Sequence, residues 1–417
     1  MVDITTLGNG IPVLLEPIPL YQSASVGFFV DTGSRHERPE QSGLSHFIEH
    51  MLFKGTTTRS SADIARAFDL IGGQFNAYTA KEMTCFYAKT LNYHVLQALD
   101  LLGDMLRNPL LDPRDIATEQ GVVLEEMGMV EDSPDDLVVE RLIQGVWGPV
   151  GLGGPILGRP ETVSAFDRAA ICAYLAEGYT AGTLVLSVAG SFEREAVLER
   201  LEQLFGDLPP ASRRPAPVPP VYTPAVVLAQ KEIEQNHLCF CFEGYGVGDS
   251  RGRALSVLSN ILGDGMSSRL FQRLREQEGL VYTVYSFLSG HSGCGLLGIY
   301  SAQQPGKEEP AAFAVLEELR RLKREGVEEE ELLRAKEMLK TSLVMSFESS
   351  HARMSFNARE YLRYGRVREV SELLEELDGV DQALLRQVTA EVLDGQKLSL
   401  SVVGRLRDEG FYHALKV

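Results

Sequence analysis

Short apolar runs rich in β-branched and aromatic residues alternate along this chain with longer stretches of helical periodicity. A short run of this kind predicts a strand, whereas apolar residues spaced three and four apart predict an amphipathic helix. Strands are therefore predicted in two groups, near 11–16, 22–30, 74–79, 83–90 and 183–189, and near 226–231, 236–243, 282–289, 293–301 and 397–403.

Helix-terminus signals divide the stretches between these strands. Ser60 is a good N-cap and Gly72 a good stop for one helix, and Asp112-Pro113 begins another. Because the strands are clustered and look antiparallel, with the helices segregated between them, the pattern predicts an α+β fold rather than a doubly wound sheet. The predicted helices lie at about 92–107, 113–131 and 134–146, before the strand at 183–189, and from about 307 to 391.

A proline-rich stretch interrupts the pattern near the middle of the chain. Seven of the 19 prolines lie in the segment from Leu208 to Pro224, both ends included, where no apolar periodicity is found. Such a segment is extended and semi-rigid, which is typical of a linker. The sequence therefore predicts an N-terminal domain at 1–207, a linker at 208–224 and a C-terminal domain at 225–417.

The two predicted domains look related to each other. The strand-like segment Leu184–Gly190 has a counterpart in Leu398–Gly404, at an offset of 214 in residue number. The same offset relates Ser23–Phe29 to His237–Glu243, and each pair occupies the same place within its half. Two short matches that share one offset indicate a repeat of the same α+β domain.

Composition narrows the class of protein. The chain has 417 residues, 44% hydrophobic and 24% charged, as in an ordinary globular protein. It has no apolar run long enough for a membrane span and no signal-peptide pattern at its N-terminus. Its five cysteines form no C-x-x-C pair and are expected to be reduced, so a cytoplasmic location is expected. The net charge of −18 argues against nucleic acid and anionic membranes as partners.

The most specific chemical signal is the segment His46-Phe47-Ile48-Glu49-His50. In a helix, His46 and His50 lie one turn apart on one face, so two imidazoles can reach one metal ion. Glu49 is adjacent to both and could take a proton from a water molecule. The pattern H-x-x-E-H is a metallopeptidase signature. The alternative is a helix that carries two surface histidines and an ordinary glutamate.

A catalytic zinc ion usually takes three protein ligands, so this pattern calls for a third. The predicted helix at 113–131 offers two candidates, Glu119 and Glu126, which are two helical turns apart and share a face. Glu125 points away from Glu126 and is expected in solvent. The alternative for Glu119 and Glu126 is a solvated charged face.

These segments resemble the pitrilysin, insulin-degrading enzyme and mitochondrial processing peptidase family of zinc peptidases. The resemblance rests on the H-x-x-E-H helix with the following Met51–Thr56, on Phe75–Thr79, and on the Glu119–Glu126 stretch. In that family the third ligand is a Glu well downstream of the second His, and Glu126 follows His50 at the separation that the family shows. The resemblance thus implies Zn²⁺ bound by His46, His50 and Glu126, with Glu119 in a supporting role.

A second match lies in the other half of the chain, at Ser267–Glu276 and Gly279–Tyr282. Active members of the family carry here an Arg and a Tyr, seven positions apart, that bind substrate carbonyls, and Arg275 and Tyr282 have this separation. Chemically, a phenol and a guanidinium suit the oxyanion of a tetrahedral intermediate. The alternative is an amphipathic helix whose arginines, chiefly Arg269 and Arg273, lie in solvent.

The resemblance implies two homologous α+β domains that face each other across a chamber, and a zinc-dependent endopeptidase that acts on peptides or unfolded segments. Glu49 would be the general acid/base, and Phe75, Asn76 and Ala77 would belong to an edge strand that binds an extended substrate. A chain of two domains would be expected to pair, as a homodimer or with a homologous partner. The alternatives are a non-catalytic scaffold or partner subunit, and a metal-binding module without hydrolysis.

Overall fold

The computed structural model describes residues 2–215, 217–407 and 409–416. Within them the chain forms eleven strands, all but one of which lie at the predicted places. The strands are β1 (Asp3–Thr6), β2 (Pro12–Pro17), β3 (Ser23–Val30), β4 (Gln74–Thr79), β5 (Thr84–Leu91), β6 (Leu184–Gly190), β7 (Val226–Gln230), β8 (Asn236–Gly244), β9 (Thr283–His291), β10 (Cys294–Gln303) and β11 (Ser399–Gly404).

The helices between these strands include every predicted one. They are α1 (Leu44–Leu52), α2 (Ser61–Leu70), α3 (Val95–Arg107), α4 (Pro113–Glu131), α5 (Pro134–Trp147), α6 (Pro160–Val163), α7 (Arg168–Gly178), α8 (Arg194–Phe205), α9 (Gly252–Gly263), α10 (Glu308–Glu325), α11 (Glu329–Ser346), α12 (Ser350–Tyr364), α13 (Val370–Asp378), α14 (Gln382–Val392) and α15 (Glu409–His413). A π-helical segment, Phe271–Gln277, lies between α9 and β9. The structure adds β1, α6, α8, α9 and α15 to the prediction.

The first sheet has the strand order β1-β2-β6-β3-β5-β4. Only the β2–β6 pair is parallel, and the other four pairs are antiparallel. In the centre of the sheet, Val26 of β3 lies opposite Val188 of β6 and Ala88 of β5. β4 is the last strand in this order, so one of its edges carries no neighbouring strand of the sheet.

The second sheet repeats this topology in the order β7-β11-β8-β10-β9, with the β7–β11 pair parallel and the rest antiparallel. The strands of the two sheets correspond one to one, apart from β1. The offset of 214 would place Phe240 opposite Val402, but Phe240 lies opposite Leu400. This shift by two positions keeps every side chain on its own face of the sheet. The prediction of a repeated, mostly antiparallel α+β fold is confirmed.

Both faces of the first sheet are buried, which explains why β3 is almost continuously apolar. Val26 and Phe28 pack with Phe47 of α1 in the main core, and Phe29, on the opposite face, packs with Met354 of α12. α12 approaches β3 closely, since a Cβ atom at Gly27 would lie 2.2 Å from the Met354 Sδ. A larger residue at position 27 would have to displace the Met354 and Phe29 side chains.

The second sheet is covered in the same manner. Phe240 and Phe242 of β8 face the main core, whereas Cys239 and Cys241 face the cluster that contains Val146 of α5. These two cysteines therefore pack on the same face of the sheet. Burial raises the pKa of both thiols, that of Cys241 to about 12.

The chain divides into two compact units that are not continuous in sequence. The first comprises Met1–Gly128, Gly154–Ala216 and Met345–Arg368, and the second comprises the remainder. The passage from Ala216 to Pro217 falls inside the predicted linker 208–224. The units differ from the predicted domains, 1–207 and 225–417, mainly in two helices: α5 belongs to the second unit and α12 to the first. The second face of each sheet is apolar and must be shielded from water. A helix from the other half of the sequence packs on it, α12 on the first sheet and α5 on the second.

Within the described residues, no helix is both long and apolar enough to span a lipid bilayer.

Candidate metal centre

The helix α1 is fixed at its N-terminus by a glutamate from the preceding turn. The Glu37 carboxylate accepts hydrogen bonds from the backbone N–H groups of Gly43 and Ser45, both at 2.7 Å. These N–H groups have no partner inside the helix, and negative charge is favourable at this end. The side of α1 that contains Phe47, Ile48 and Met51 is fully buried, which turns His46, Glu49 and His50 the other way.

Two glycines allow the chain to pass close by this helix end. Gly43 precedes α1 with φ of 94°, and a Cβ atom there would lie 2.5 Å from the Leu157 carbonyl oxygen. Gly158 has φ of 83°, and its Cβ would lie 2.3 Å from the Ser42 carbonyl oxygen. Both conditions, the positive φ and the close backbone, require glycine. The turn that contains Gly158 therefore lies directly against the start of α1.

Three potential metal ligands converge beside α1. One ligand atom each from His46, His50 and Glu126 lie within 4.8 Å of one another. The Glu126 Oε2 is 3.7 Å from the His46 Nε2 and 3.6 Å from the His50 Nε2. The exposed fraction of the Glu126 side chain is 34%, so the group can be reached from solvent. The neighbouring Glu125 is exposed, as predicted.

The distances fit a tetrahedral ion. With bonds of about 2.0–2.2 Å, ligand atoms around a tetrahedral zinc ion lie about 3.3–3.6 Å apart, close to the separations between Glu126 and the two imidazoles. Two imidazoles and one carboxylate, with a fourth position open, are also the donor set of several hydrolytic zinc sites. Burial, followed by the nearby His50, lowers the pKa of His46 to about 4, so its ring is neutral near pH 7, as a ligand must be.

A buried carboxylate and a lysine support one of these ligands from behind. The Glu119 Oε2 lies 2.9 Å from the His50 Nδ1, and the Glu119 side chain is only 2% exposed. Its other oxygen, Oε1, forms an ion pair with the Lys54 ammonium. A carboxylate on Nδ1 selects the His50 tautomer whose Nε2 is free to bind a metal. Among the described residues, no group plays this part for the His46 Nδ1.

Glu49 lies next to the converging ligands and is held by the neighbouring strand. The Thr79 hydroxyl, at the end of β4, donates a hydrogen bond of 2.6 Å to the Glu49 Oε2. Burial raises the pKa of the Glu49 carboxyl, partly offset by this hydrogen bond. A raised pKa lies closer to neutral pH, and a carboxyl group whose pKa is near the working pH can both take up and release a proton.

The predicted substrate-binding residues lie on β4, at the edge of the first sheet. Asn76 is exposed and accepts a hydrogen bond from the Ala77 N–H, whereas Ala77 is buried. The Phe75 ring stacks on Phe68, with ring centroids 3.8 Å apart. The Phe75 side chain is thus partly buried and packs against the main core.

Arg275 and Tyr282 lie in the second unit, close to each other. The Arg275 guanidinium is 5.7 Å from the centroid of the Tyr282 ring and 4.9 Å from that of Phe271. Tyr282 is 70% exposed. Within the described residues Arg275 has no carboxylate partner. The expectation that Arg269 and Arg273 lie in solvent is wrong, because both are held in ion pairs by nearby carboxylates.

Two residues at this centre were not singled out from the sequence, Lys54 and Thr79. Each stands in a segment that carried the family resemblance, Lys54 shortly after His50 and Thr79 at the end of the edge strand. Their contacts join residues far apart in sequence, Glu119 for Lys54 and Glu49 for Thr79. In the sequence, only their closeness to the motifs marked Lys54 and Thr79, and this did not indicate which residues they contact.

Comparison with known proteins matches both halves of the chain to one family. The description "Insulinase (Peptidase family M16)" matches residues 12–159, and "Peptidase M16 inactive domain" matches residues 165–339. A protein of Bacillus subtilis named uncharacterized zinc protease YmxG is 40% identical over 395 residues, 94% of this chain and 96% of its own. The uncharacterized zinc protease SCO5738 of Streptomyces coelicolor is 36% identical over 97% of this chain and 90% of its own.

Solved structures share the fold. A protease from Helicobacter pylori superimposes with a TM-score of 0.90 at 19% identity, covering 97% of this chain and 99% of its own. A chain of complex III from Candida albicans superimposes with a TM-score of 0.85 at 20% identity, covering 99% of both chains. These likenesses concern the fold alone. The identity to the curated relatives over nearly full length, together with the two matched halves, shows that this chain belongs to peptidase family M16, the insulinase family.

Proposed function

We propose that this protein is a zinc-dependent endopeptidase whose metal ligands are His46, His50 and Glu126. The observation that carries the proposal is the convergence of these three ligand atoms within 4.8 Å beside the Glu49 carboxylate. The names of the relatives, which are zinc proteases, support the choice of metal. The chemistry that Zn²⁺ supplies at such a site is the activation of a water molecule and the polarisation of a carbonyl group.

Glu49 is the proposed general acid/base. It accepts a proton from the attacking water molecule and delivers it to the amine that leaves when the peptide bond breaks. The Thr79 hydroxyl holds one oxygen of Glu49, so the other oxygen remains for this transfer. Glu119 keeps the His50 ring in the orientation and tautomer that a metal ligand needs.

The remaining predicted residues bind the substrate in this proposal. An extended peptide can add to the free edge of β4 at Asn76 and Ala77 through main-chain hydrogen bonds. Arg275 and Tyr282 donate hydrogen bonds to substrate carbonyl groups and to the oxyanion that forms from one of them. Arg275 suits this role because its neighbours Arg269 and Arg273 are already paired with carboxylates, whereas no described carboxylate pairs with Arg275.

The proposed substrates are peptides or unfolded segments that enter an enclosed chamber. A chain of two α+β domains would complete such a chamber by pairing, either with a second copy or with a homologous partner. The zinc ligands and the Arg275–Tyr282 pair occur in the same chain, so a homodimer would carry all the proposed catalytic groups.

The metal content of matched variants tests the ligand set. Glu126→Gln should lose most of its zinc, whereas Glu125→Gln, a change of the adjacent exposed carboxylate, should keep about one zinc ion per chain. Elemental analysis of the purified proteins measures both. Full zinc occupancy in Glu126→Gln would remove Glu126 from the site.

Peptide cleavage by the wild type and by Glu49→Gln tests the catalytic role. The variant should keep its zinc and lose at least about 10²- to 10⁴-fold in kcat on a quenched fluorescent peptide, the range typical of general acid/base groups. A wild-type protein that holds zinc but cleaves no member of a peptide library would instead favour the alternative, a non-catalytic scaffold or partner subunit.

A further inference from the structure

A buried glutamate lies between two arginines of the segment that carries Arg275. Glu318 of α10 is 1% exposed, and its two oxygens face different guanidinium groups. Its Oε1 is 3.6 Å from the Arg269 Nη1, and its Oε2 is 3.6 Å from the Arg273 Nη1. The Arg321 Nη1 is 3.7 Å from the same Oε2. One buried carboxylate thus lies within 3.7 Å of three guanidinium groups.

A second carboxylate fixes Arg269 more directly. The Glu331 side chain of α11 accepts hydrogen bonds from the Arg269 Nε at 2.7 Å and from the Arg269 Nη2 at 2.6 Å. Such paired hydrogen bonds set the orientation of a guanidinium as well as its position. Arg269 also donates to the Gly326 carbonyl oxygen. The arginine is therefore held between α10 and α11.

The segment that contains Arg273 and Arg275 has an uncommon backbone. Phe271–Gln277 is a π-helix, a rare conformation that recurs at functional sites. Leu270 and Leu274 bury one side of the segment, while Arg275 lies over the Phe271 ring and near Tyr282 on another. The segment is thus anchored by ion pairs and apolar contacts; Arg275 extends from it, and Tyr282 follows shortly after its end.

We propose that Glu318 and Glu331 are positioning residues that hold this π-helical segment so that Arg275 and Tyr282 can bind the reacting carbonyl group. The inference rests on the proposed function, since it assigns these two groups a part in catalysis. Buried charges are stable only when they are paired. Without the negative charge of Glu318, the Arg269 and Arg273 guanidinium groups would lose the buried carboxylate that lies between them, and the segment that contains Arg273 would move.

The test is the pair of variants Glu318→Gln and Glu308→Gln. Glu308 is the matched control, because it is equally buried in the same helix but its carboxylate accepts a hydrogen bond from Asn236 instead of facing the arginines. Glu318→Gln should lower kcat about 10- to 100-fold with little change in KM and in zinc content, as displacement of a positioned group by about 1 Å does. Glu308→Gln should change the melting temperature alone.

Two further measurements separate positioning from general stability. Hydrogen exchange at 270–282 should become faster in Glu318→Gln but not in Glu308→Gln. In a background that lacks both donor groups, Arg275→Ala with Tyr282→Phe, the added Glu318→Gln change should cost no more kcat, because the groups it positions are gone. If Glu318→Gln does not fold, Glu331→Gln, at a less buried site, should show the same effects in weaker form.

The outcomes distinguish this inference from the proposed function. An active wild type with an unchanged kcat in Glu318→Gln, or with a loss that persists in the background without Arg275 and Tyr282, would overturn the positioning role alone. A wild type that cleaves no peptide would overturn the proposed function, and the catalytic part of this inference with it.

Discussion

At the scale of single residues, the candidate centre depends on a chain of charges that runs from Lys54 through Glu119 to His50. The Lys54 ammonium pairs with one oxygen of Glu119, and the other oxygen lies 2.9 Å from the His50 Nδ1. Glu119 is almost fully buried, and a buried carboxylate needs a partner to remain charged. Lys54 therefore secures the group that orients a proposed metal ligand.

Replacement of this lysine should weaken zinc binding. We expect Lys54→Met to lower the affinity for Zn²⁺ by about 10-fold, at the lower end of the range for residues that support a metal ligand. Lys54→Arg keeps the charge and should restore most of the affinity. Competition with a chromophoric chelator measures the dissociation constants. Equal values for the wild type and Lys54→Met would show that Glu119 needs no lysine.

A second residue-level prediction concerns acid stability. Burial, with a smaller contribution from Arg214, lowers the pKa of His36 from 6.5 to about 4. Its Nδ1 accepts a hydrogen bond from the Gly33 N–H at 3.1 Å, which requires the unprotonated ring. Between pH 6.5 and pH 4 the unfolded chain therefore binds a proton at His36 that the folded chain does not. The contribution of His36 to stability is complete above pH 6.5 and is lost as the pH falls toward 4.

Denaturant unfolding at pH 7.5 and pH 5 should reveal this contribution. From the two pKa values, the wild type should lose about 2 kcal/mol at His36 between these pH values. His36→Gln can still accept the Gly33 hydrogen bond but does not titrate, so its loss of stability should be smaller by about that amount. The same pH dependence in both proteins would contradict the assigned role.

At the scale of elements, the position of α1 is decided by the backbone around its N-terminus. Glu37 caps the helix, and Gly43 and Gly158 let two chain segments meet there. The periodicity of the segment predicted the helix, and the i, i+4 spacing predicted that His46 and His50 share a face. Where the helix sits relative to α4, and hence whether Glu126 reaches the histidines, depends on contacts between distant segments.

The tight approach at Gly158 gives an element-level prediction. Gly158→Ala should destabilise the protein by about 3 kcal/mol, because it combines the cost of a positive φ with a Cβ atom 2.3 Å from the Ser42 carbonyl oxygen. Gly72→Ala is the control: Gly72 has φ of 59° but open space around its Cβ, so it should cost only about 1 kcal/mol. Thermal unfolding measures both, and similar losses would mean that the backbone near Gly158 yields easily.

At the scale of the whole molecule, two copies of one topology are built from a chain whose net charge is −18. Each half of the sequence supplies a helix to the other half's sheet, so that α12 covers the first sheet and α5 the second.

The excess of acidic groups creates a negative potential around the protein, which attracts cations over roughly a Debye length, about 10 Å at 0.1 M salt. Basic peptides should therefore be captured faster than acidic ones.

Peptide pairs of equal length test this effect. At low ionic strength, kcat/KM for a Lys/Arg-rich peptide should exceed that for an Asp/Glu-rich peptide by about 10-fold, and the ratio should fall as salt is added. A neutral peptide of the same length serves as the control. Equal values at all salt concentrations would mean that the acidic surface does not steer substrates.

A folded globular protein should resist cleavage, and its rapid degradation would contradict an enclosed chamber.

The sequence by itself determined what depends on neighbouring residues. Short apolar runs rich in β-branched and aromatic residues located ten of the eleven described strands, and helix-terminus signals located α2 and α4. The offset of 214 revealed the repeat. The missed strand β1 has only four residues and an alternately exposed pattern, so it is too short to stand out. The spacing within H-x-x-E-H determined the shared face of the histidines, because helix geometry is local.

Only the tertiary structure decided the contacts between distant segments. α12 lies within the predicted run of helices at 307–391, yet it packs on the first sheet with a face that includes Ser350 and Asn357. Polar and small residues on a buried helix face give no hydrophobic signal, and their partners, Ser25 and Glu16, belong to the strands at the opposite end of the sequence. The sequence did not predict the ion pairs of Lys54 and Glu318 either. A charged residue can pair with an opposite charge anywhere in the chain, and the fold decides which one lies close to it.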